Sequence, residues 1–372
     1  MKKIELNSSE LFNKVQSISK VQTNKNMLPV LDNIRFVCKD GLLNMDAAEE
    51  GCFAHTWMSV ESGEDVTFGI NSKSLREILK TIPEQNITIE INHASCIIRH
   101  NRGKMELPNV SMEEWPETPG VDAENFLSIP AETLKNIFTH CSPFIMVDEL
   151  RPVMNTICLR FGNNKMDAVA SDGHTLIKQT YHCDYPSTEE KTLLVFNRFG
   201  KVVEQLIGKQ TEPVGIYFNK THILFRLQNF DCTIRQVEGN YPNYNSVIPN
   251  DHTDSLSVNK KEFMQGLDFV NPCANTASMI LALTVGDNEI HLRTADADYG
   301  KSADTTVPAE ITGQKTVVGL KCTYLTEILK HIHTEEVVMT YSNGHRAWVF
   351  LPKEQMADSE QVIILMPMML NA

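Results

Sequence analysis

Apolar residues recur along this chain in two alternating rhythms, short stretches of period two and stripes of period 3.6. Leu75, Leu79 and Ile82 stripe one face of a predicted helix, as do Leu325, Leu329 and Ile332. Ile87-Thr-Ile-Glu-Ile91, Ile223-Leu-Phe-Arg-Leu227 and Ile290-His-Leu-Arg-Thr294 alternate as half-buried strands, bounded by Gly, Asn and Asp turns. A strand, a helix and a second strand are thereby predicted over 66–91, 192–218 and 315–341. Another unit, a short strand leading through a polar turn into an amphipathic helix, opens at Ile4 to Leu11, Leu127 to Leu134 and Leu256 to Phe263. Leu11, Leu134 and Phe263 stand 123 and 129 residues apart, one domain length each time. Ser8 or Ser9, Pro130 with Glu132, and Asn259 supply cap or first-turn chemistry. Each domain is therefore itself doubled, and the expected fold class is α+β, with two helices per domain on one sheet face.

Breaks around Pro119-Gly120 and Pro249-Asn250-Asp251 divide the 372 residues into expected domains 1–122, 126–250 and 254–372. With 42% hydrophobic and 22% charged residues, each has the material for its own core. Glu5, Asn7 and Glu10 interrupt any signal-like stretch, and the longest apolar run, Val362 to Leu370, is broken by Pro367. A spanning helix needs about 20 residues, so the expected location is the cytoplasm. Nine cysteines are scattered singly with no Cys-x-x-Cys pair, which reads as reduced, buried thiols. No metal and no cofactor is expected.

The formal charge of −13 argues against adhesion to a polyanion by bulk electrostatics, so the distribution of the 34 Lys and Arg residues decides the matter. Fourteen lie on or beside the six predicted helices: Lys14, Lys20, Lys25, Lys73, Arg76, Lys80, Lys135, Arg198, Lys201, Lys209, Lys260, Lys261, Lys321 and Lys330. Six glutamates accompany them, a local surplus of eight, so the rest of the chain is strongly acidic. Charges on any one amphipathic helix ordinarily solvate its outer face. Six helices turned toward one space would instead present a cationic lining to phosphates and leave an acidic exterior.

Several motifs on this scaffold resemble the bacterial DNA polymerase III beta subunit family, the DNA sliding clamps, over essentially the whole chain. They are Leu28-Pro-Val-Leu-Asp-Asn33, Val169-Ala-Ser-Asp-Gly-His-Thr-Leu176, Val237-Glu-Gly-Asn-Tyr-Pro-Asn-Tyr-Asn-Ser-Val-Ile-Pro249 and Met366-Pro-Met-Met-Leu370. The resemblance implies three clamp domains per subunit and a head-to-tail homodimeric ring around duplex DNA. It implies a non-catalytic processivity factor that tethers a replicative polymerase, and partners that include the clamp loader and repair proteins. These partners bind through short linear peptides with leucine or aromatic anchors. The peptide pocket carries over onto Met154, Ser171, Gly173, His174, Thr175 and Leu176, then Pro242, Ser246 and Val247. It closes on Ile364, Met366, Pro367, Met368 and Leu370. DNA-facing positions carry over or follow from the helical charge as Lys25, Lys73, Arg76, Lys80, Arg151, Arg198, Lys201 and Lys209, and the dimer seam as Met105, Leu107, Pro272 and Cys273.

Departures from the family pattern change the expected chemistry. Asp148 and Pro152 stand where clamps often carry polar or aromatic DNA contacts. Thr175, Ser246 and Met369 stand where many relatives carry arginine, so the pocket is expected to rely on apolar anchors and to bind nearly independently of salt. A steep salt dependence would point to a basic residue elsewhere in the wall. Ser171, Asp172 and His174 also invite reading as a hydrolytic triad, but neighbours within four positions do not line up as nucleophile, base and orienter. His331 and His333 lack a third metal ligand. The other rival is a scaffold that keeps the clamp fold and binds only peptide-bearing partners.

Overall fold

The structure is a computed structural model that describes residues 2–23, 26–121, 125–148, 150–183, 185 and 187–370. Among them are six α-helices: α1 (Ser8–Ile18), α2 (Ser72–Leu79), α3 (Ala131–Cys141), α4 (Asn197–Ile207), α5 (Lys260–Val270) and α6 (Cys322–Lys330). Each follows a strand directly, or in α3 after Pro130 alone, as the repeated pattern predicts. Asn7 caps α1 by accepting from the N–H groups of Ser9 and Glu10, and Asn259 caps α5 in the same way. Of the cap and first-turn roles expected of Ser8 or Ser9, the structure gives them the first turn and gives Asn7 the cap. Ser8 is buried inside the helix, where its hydroxyl donates to the Pro83 carbonyl, because Asn reaches the free N–H groups from one residue earlier.

The chain forms two compact units whose limits differ from those of the sequence repeats. The first runs to Phe138 and takes in Arg198–Val237. Its eight-stranded antiparallel sheet continues from one repeat into the next, because Phe230–Arg235 pairs with Cys52–Ser59 in the register Cys232 to Ala54. A five-stranded sheet ends on Gly103–Pro108, whose outer edge is unpaired among the described residues. Leu11, Val15 and Ile18 of α1 are fully buried with Leu75 of α2, and Phe36 stacks on Phe68 at 4.8 Å.

The second unit comprises Thr139–Asn197 and the chain from Glu238 onward. Its twelve-stranded sheet is continuous because Ser359–Leu365 pairs on one side with Thr175–His182 and on the other with Trp348–Pro352. Trp348 and Tyr341, both fully buried, stack at 4.6 Å. Phe263 and Leu267 of α5 and Leu325 and Leu329 of α6 are buried as the helical stripes require. Contacts divide the middle repeat between the units because strand pairing crosses both repeat boundaries.

Candidate functional site

Strands Lys165–Ser171 and Thr175–His182 pair with Ser171 opposite Leu176, so Asp172, Gly173 and His174 must turn tightly. Gly173 takes φ +87°, a conformation glycine adopts without steric cost. One Asp172 carboxylate oxygen accepts from the N–H groups of His174 (2.9 Å) and Thr175 (2.6 Å) and from the Thr175 hydroxyl (2.9 Å). The Ser171 hydroxyl donates to the Thr175 carbonyl at 2.7 Å and accepts from Gly173 N–H. Ser171, Asp172 and Thr175 thus lock a turn, and no relay runs from Asp172 through His174 to a free serine hydroxyl. The triad reading fails on this geometry.

His174 is exposed at the tip of the turn, and its ring lies on that of Tyr324 from α6 at 6.1 Å. Burial pushes the Tyr324 hydroxyl up to about 12, helped by the charge of Asp172 and a hydrogen bond to it. A phenol held in this protonated state is a fixed donor and a rigid aromatic platform. Tyr324 was missed by sequence reasoning. The available signal was its place one residue before Leu325, on the helix flank beside the buried stripe.

The tail after Ser359–Leu365 forms the next wall. Met366 N–H donates to the His174 carbonyl at 2.8 Å, and Met368 N–H donates to the Gly319 carbonyl at 2.8 Å. A Cβ on Gly319 would fall on the Met368 carbonyl oxygen and 3.1 Å from the Leu370 side chain, so only glycine lets the tail lie this close. Met366, Met369 and Leu370 are exposed, and Pro367 and Met368 are half-buried. Leu176 and Ile364 face each other across paired strands and are buried, so they can serve only as floor.

The segment bearing Pro242, Ser246 and Val247 is tied to the same two strands through Tyr244. That tyrosine is buried, donates to Asp167 at 2.8 Å and is flanked by Arg160 and Lys178, while Lys178 donates to Asn245 at 3.2 Å. Pro242, Ser246 and Val247 stay exposed, and Met154 is half-buried on the turn Pro152–Asn155. Met146 approaches Gly173 from the preceding loop, its methyl 3.6 Å from where a Cβ would stand. The surface therefore combines exposed apolar groups, one aromatic platform with the Lys321 ammonium over it, and turn hydroxyls already occupied in holding shape. Its exposed side chains are mainly apolar, and among the described residues the Ser171 and Thr175 hydroxyls are both spent on the turn.

The expected cations are placed less uniformly. Lys73, Lys80, Lys201 and Lys209 are exposed, and Arg76 is half-buried with its Nε directed to the Ser72 carbonyl. Lys20 donates to the Gln205 carbonyl in the last turn of α4, where cations favour the helix dipole. Lys25 lies outside the described residues. Arg151 is held by Asp148 at 2.9 Å, and the guanidinium keeps that carboxyl below its ordinary range. Arg198 pairs with the buried Glu49 and also donates to the Val21 carbonyl. Neither arginine is a free cation. α5 also carries Asp268, which neutralises the surplus expected there.

Burial raises the Glu49 carboxyl above its ordinary value, and Arg198 opposes the rise. In Arg198→Met the opposition disappears, so the folded state favours the protonated acid still more. Stability is then retained below the unfolded carboxylate range and lost as pH rises through the raised value. Urea midpoints should show the variant destabilised by about 1–2 kcal/mol at pH 8 and by less at pH 5. An equal loss at both values would remove Glu49 from the explanation.

At the expected seam, Leu107 is buried and Met105 half-buried on the edge strand Gly103–Pro108. Pro272 is exposed and Cys273 half-buried in the turn Asn271–Cys273, and Phe269 beside them is 63% exposed, an apolar surface that sequence reasoning did not single out.

Family models for the N-terminal, central and C-terminal domains of the DNA polymerase III beta subunit match residues 2–119, 128–243 and 245–369. The beta sliding clamp of Bacillus subtilis (strain 168) is 22% identical over 358 residues, covering 93% of this chain and 95% of that protein. A crystal structure of the Pseudomonas aeruginosa sliding clamp with ligand superposes with a TM-score of 0.95 at 19% identity, covering both chains completely. Another from the same organism, bound to griselimycin, gives 0.94 at 20% identity over 99% of this chain and 100% of that one. Three successive domain matches spanning nearly every residue, on a fold doubled within each repeat, place this chain in the DNA polymerase III beta subunit family.

Proposed function

We propose that this chain is a DNA polymerase processivity clamp that works in the cytoplasm as a head-to-tail homodimeric ring around duplex DNA. The observation that carries the reading is the succession of three clamp domains, proposed here as 1–122, 126–250 and 254–372. A closed ring gains processivity from topology, so it needs only weak phosphate contacts that carry no sequence information. Lys25, Lys73, Lys80, Lys201 and Lys209 supply those contacts, with Arg76 beside them. Polymerase, clamp loader and repair proteins dock through peptides on the surface between the Asp172 turn, Tyr324 and the Met366–Leu370 tail. The deciding experiment is retention on nicked circular DNA after loading. Loss of the protein on linearisation supports encirclement, and equal retention on both forms favours a scaffold or ordinary binding.

Met105 and Leu107 of one copy would meet Pro272 and Cys273 of a second, with Phe269 adding apolar area to a twofold-symmetric closure. Light scattering at micromolar concentration should therefore return twice the mass of the chain. A monomer under those conditions would count against this seam.

A further inference from the structure

We propose that Lys321 is the anion-recognising residue of the peptide pocket, so that partner peptides with a carboxylate beside their apolar anchor bind in preference to neutral ones. The inference rests on reading this surface as a peptide pocket, and it reverses the expectation drawn from Thr175, Ser246 and Met369.

Lys321 ends the strand Val317–Lys321 and stands at the N-cap of α6, where its side chain makes no capping hydrogen bond. Its ammonium lies instead over the Tyr324 ring, 4.9 Å from the centroid. That ring is fixed on its other contacts by the His174 ring and the hydrogen bond to Asp172. Two residues before Lys321, Gly319 carries the tail through its bridge to Met368. The ammonium is thus attached to the wall between the turn and the tail.

Its ammonium forms no ion pair within this surface. Lys330 pairs with Glu327 at 3.3 Å and Lys178 with Asp167 at 3.1 Å, but among the described residues no carboxylate forms an ion pair with Lys321. Asp172, the acidic group of the turn, is engaged elsewhere, one oxygen accepting from two N–H groups and a hydroxyl and the carboxylate also bonding the Tyr324 hydroxyl. A half-buried cation resting on an aromatic face, without an ion-pair partner, attracts a carboxylate more strongly than a fully solvated lysine does. Thr175, Ser246 and Met369 around the same surface bring no competing cation.

Peptides with one Leu-Phe anchor pair and a single Glu walked through the flanking positions, each matched by its Gln counterpart, test this by fluorescence polarisation. At low salt one Glu position should bind about 5–10-fold more tightly than its Gln partner, and high salt should erase most of the difference. Lys321→Met keeps the apolar stem, so it should lose the preference while binding the Gln peptide within about twofold of the parent. Lys321→Glu should prefer a Lys at the same position. Equal binding of every Glu–Gln pair to the parent would overturn the assignment to Lys321 and leave the pocket intact. Failure of all the peptides to bind the parent would overturn the pocket itself. A Glu preference that survives Lys321→Met would move the role to another cation.

Discussion

Removing Met366 to Ala372 should abolish capture of a partner peptide and leave the fold in place. The strand Ser359–Leu365 keeps both neighbours after the cut, so the twelve-stranded sheet survives. What disappears are two backbone hydrogen bonds, from Met366 to His174 and from Met368 to Gly319, worth about 1–3 kcal/mol together, and the apolar wall that they hold. Truncating a leucine or aromatic anchor of the peptide to alanine should by itself weaken binding by roughly 2 kcal/mol or more, since such anchors carry most of the energy of small interfaces. A milder lesion makes the same point from beneath the tail. Gly319→Ala puts a methyl group where the Met368 carbonyl lies, so the tail must lift, and affinity should fall about tenfold with little change in thermal stability. Fluorescence polarisation and a melting curve on each variant read both quantities. Undiminished peptide binding after the deletion would place the pocket elsewhere.

Replacing Lys25, Lys73, Lys80, Lys201 and Lys209 together by Ala should impair loading and processive synthesis while dimer and fold persist. The four of these that the structure describes are exposed and make no ion pair among the described residues, so their loss costs the fold little. Every phosphate that goes unneutralised should remove about 0.9 from the slope of log affinity against log salt. Arg198 is omitted on purpose, because its removal strands Glu49 and would mix a folding defect with a DNA defect. Processivity equal to the parent's in the five-fold variant would mean that these charges face away from DNA.

Much of this protein was legible before any coordinates. Leu75, Leu79, Leu325 and Leu329 carry a helical period because a helix on a sheet buries one stripe, and all four are buried. Asn259 caps α5 as expected, since cap chemistry depends on residues within three positions. The Asp172-Gly173 turn followed equally from local preference, with Asp closing onto nearby N–H groups and Gly accepting positive φ. These are short-range effects, and the order of residues along the chain contains them.

Other features depend on which distant residues meet. Asn7 rather than Ser8 caps α1, and Ser8 turns inward to the Pro83 carbonyl, a partner 75 positions away. The fourteen helical cations looked equivalent in the sequence, yet Arg198 is neutralised by Glu49 from a remote strand and Arg151, carried over beside them, by Asp148 within a loop. Thr175, Ser246 and Met369 implied a surface without charge, but Lys321, at the end of another strand, lies over Tyr324, which periodicity marks only as a helix flank. Repeat spacing implied three domains but not that the strand pairs Phe230–Arg235 with Cys52–Ser59 and Thr175–His182 with Ser359–Leu365 run sheets across both boundaries. The sequence by itself determined the elements, their repetition and the Asn259 cap, because those arise from interactions among near neighbours. Only the tertiary structure decided which charges are paired and which side chains surround the Asp172 turn, because pairing and burial are set by contacts between residues far apart in the chain.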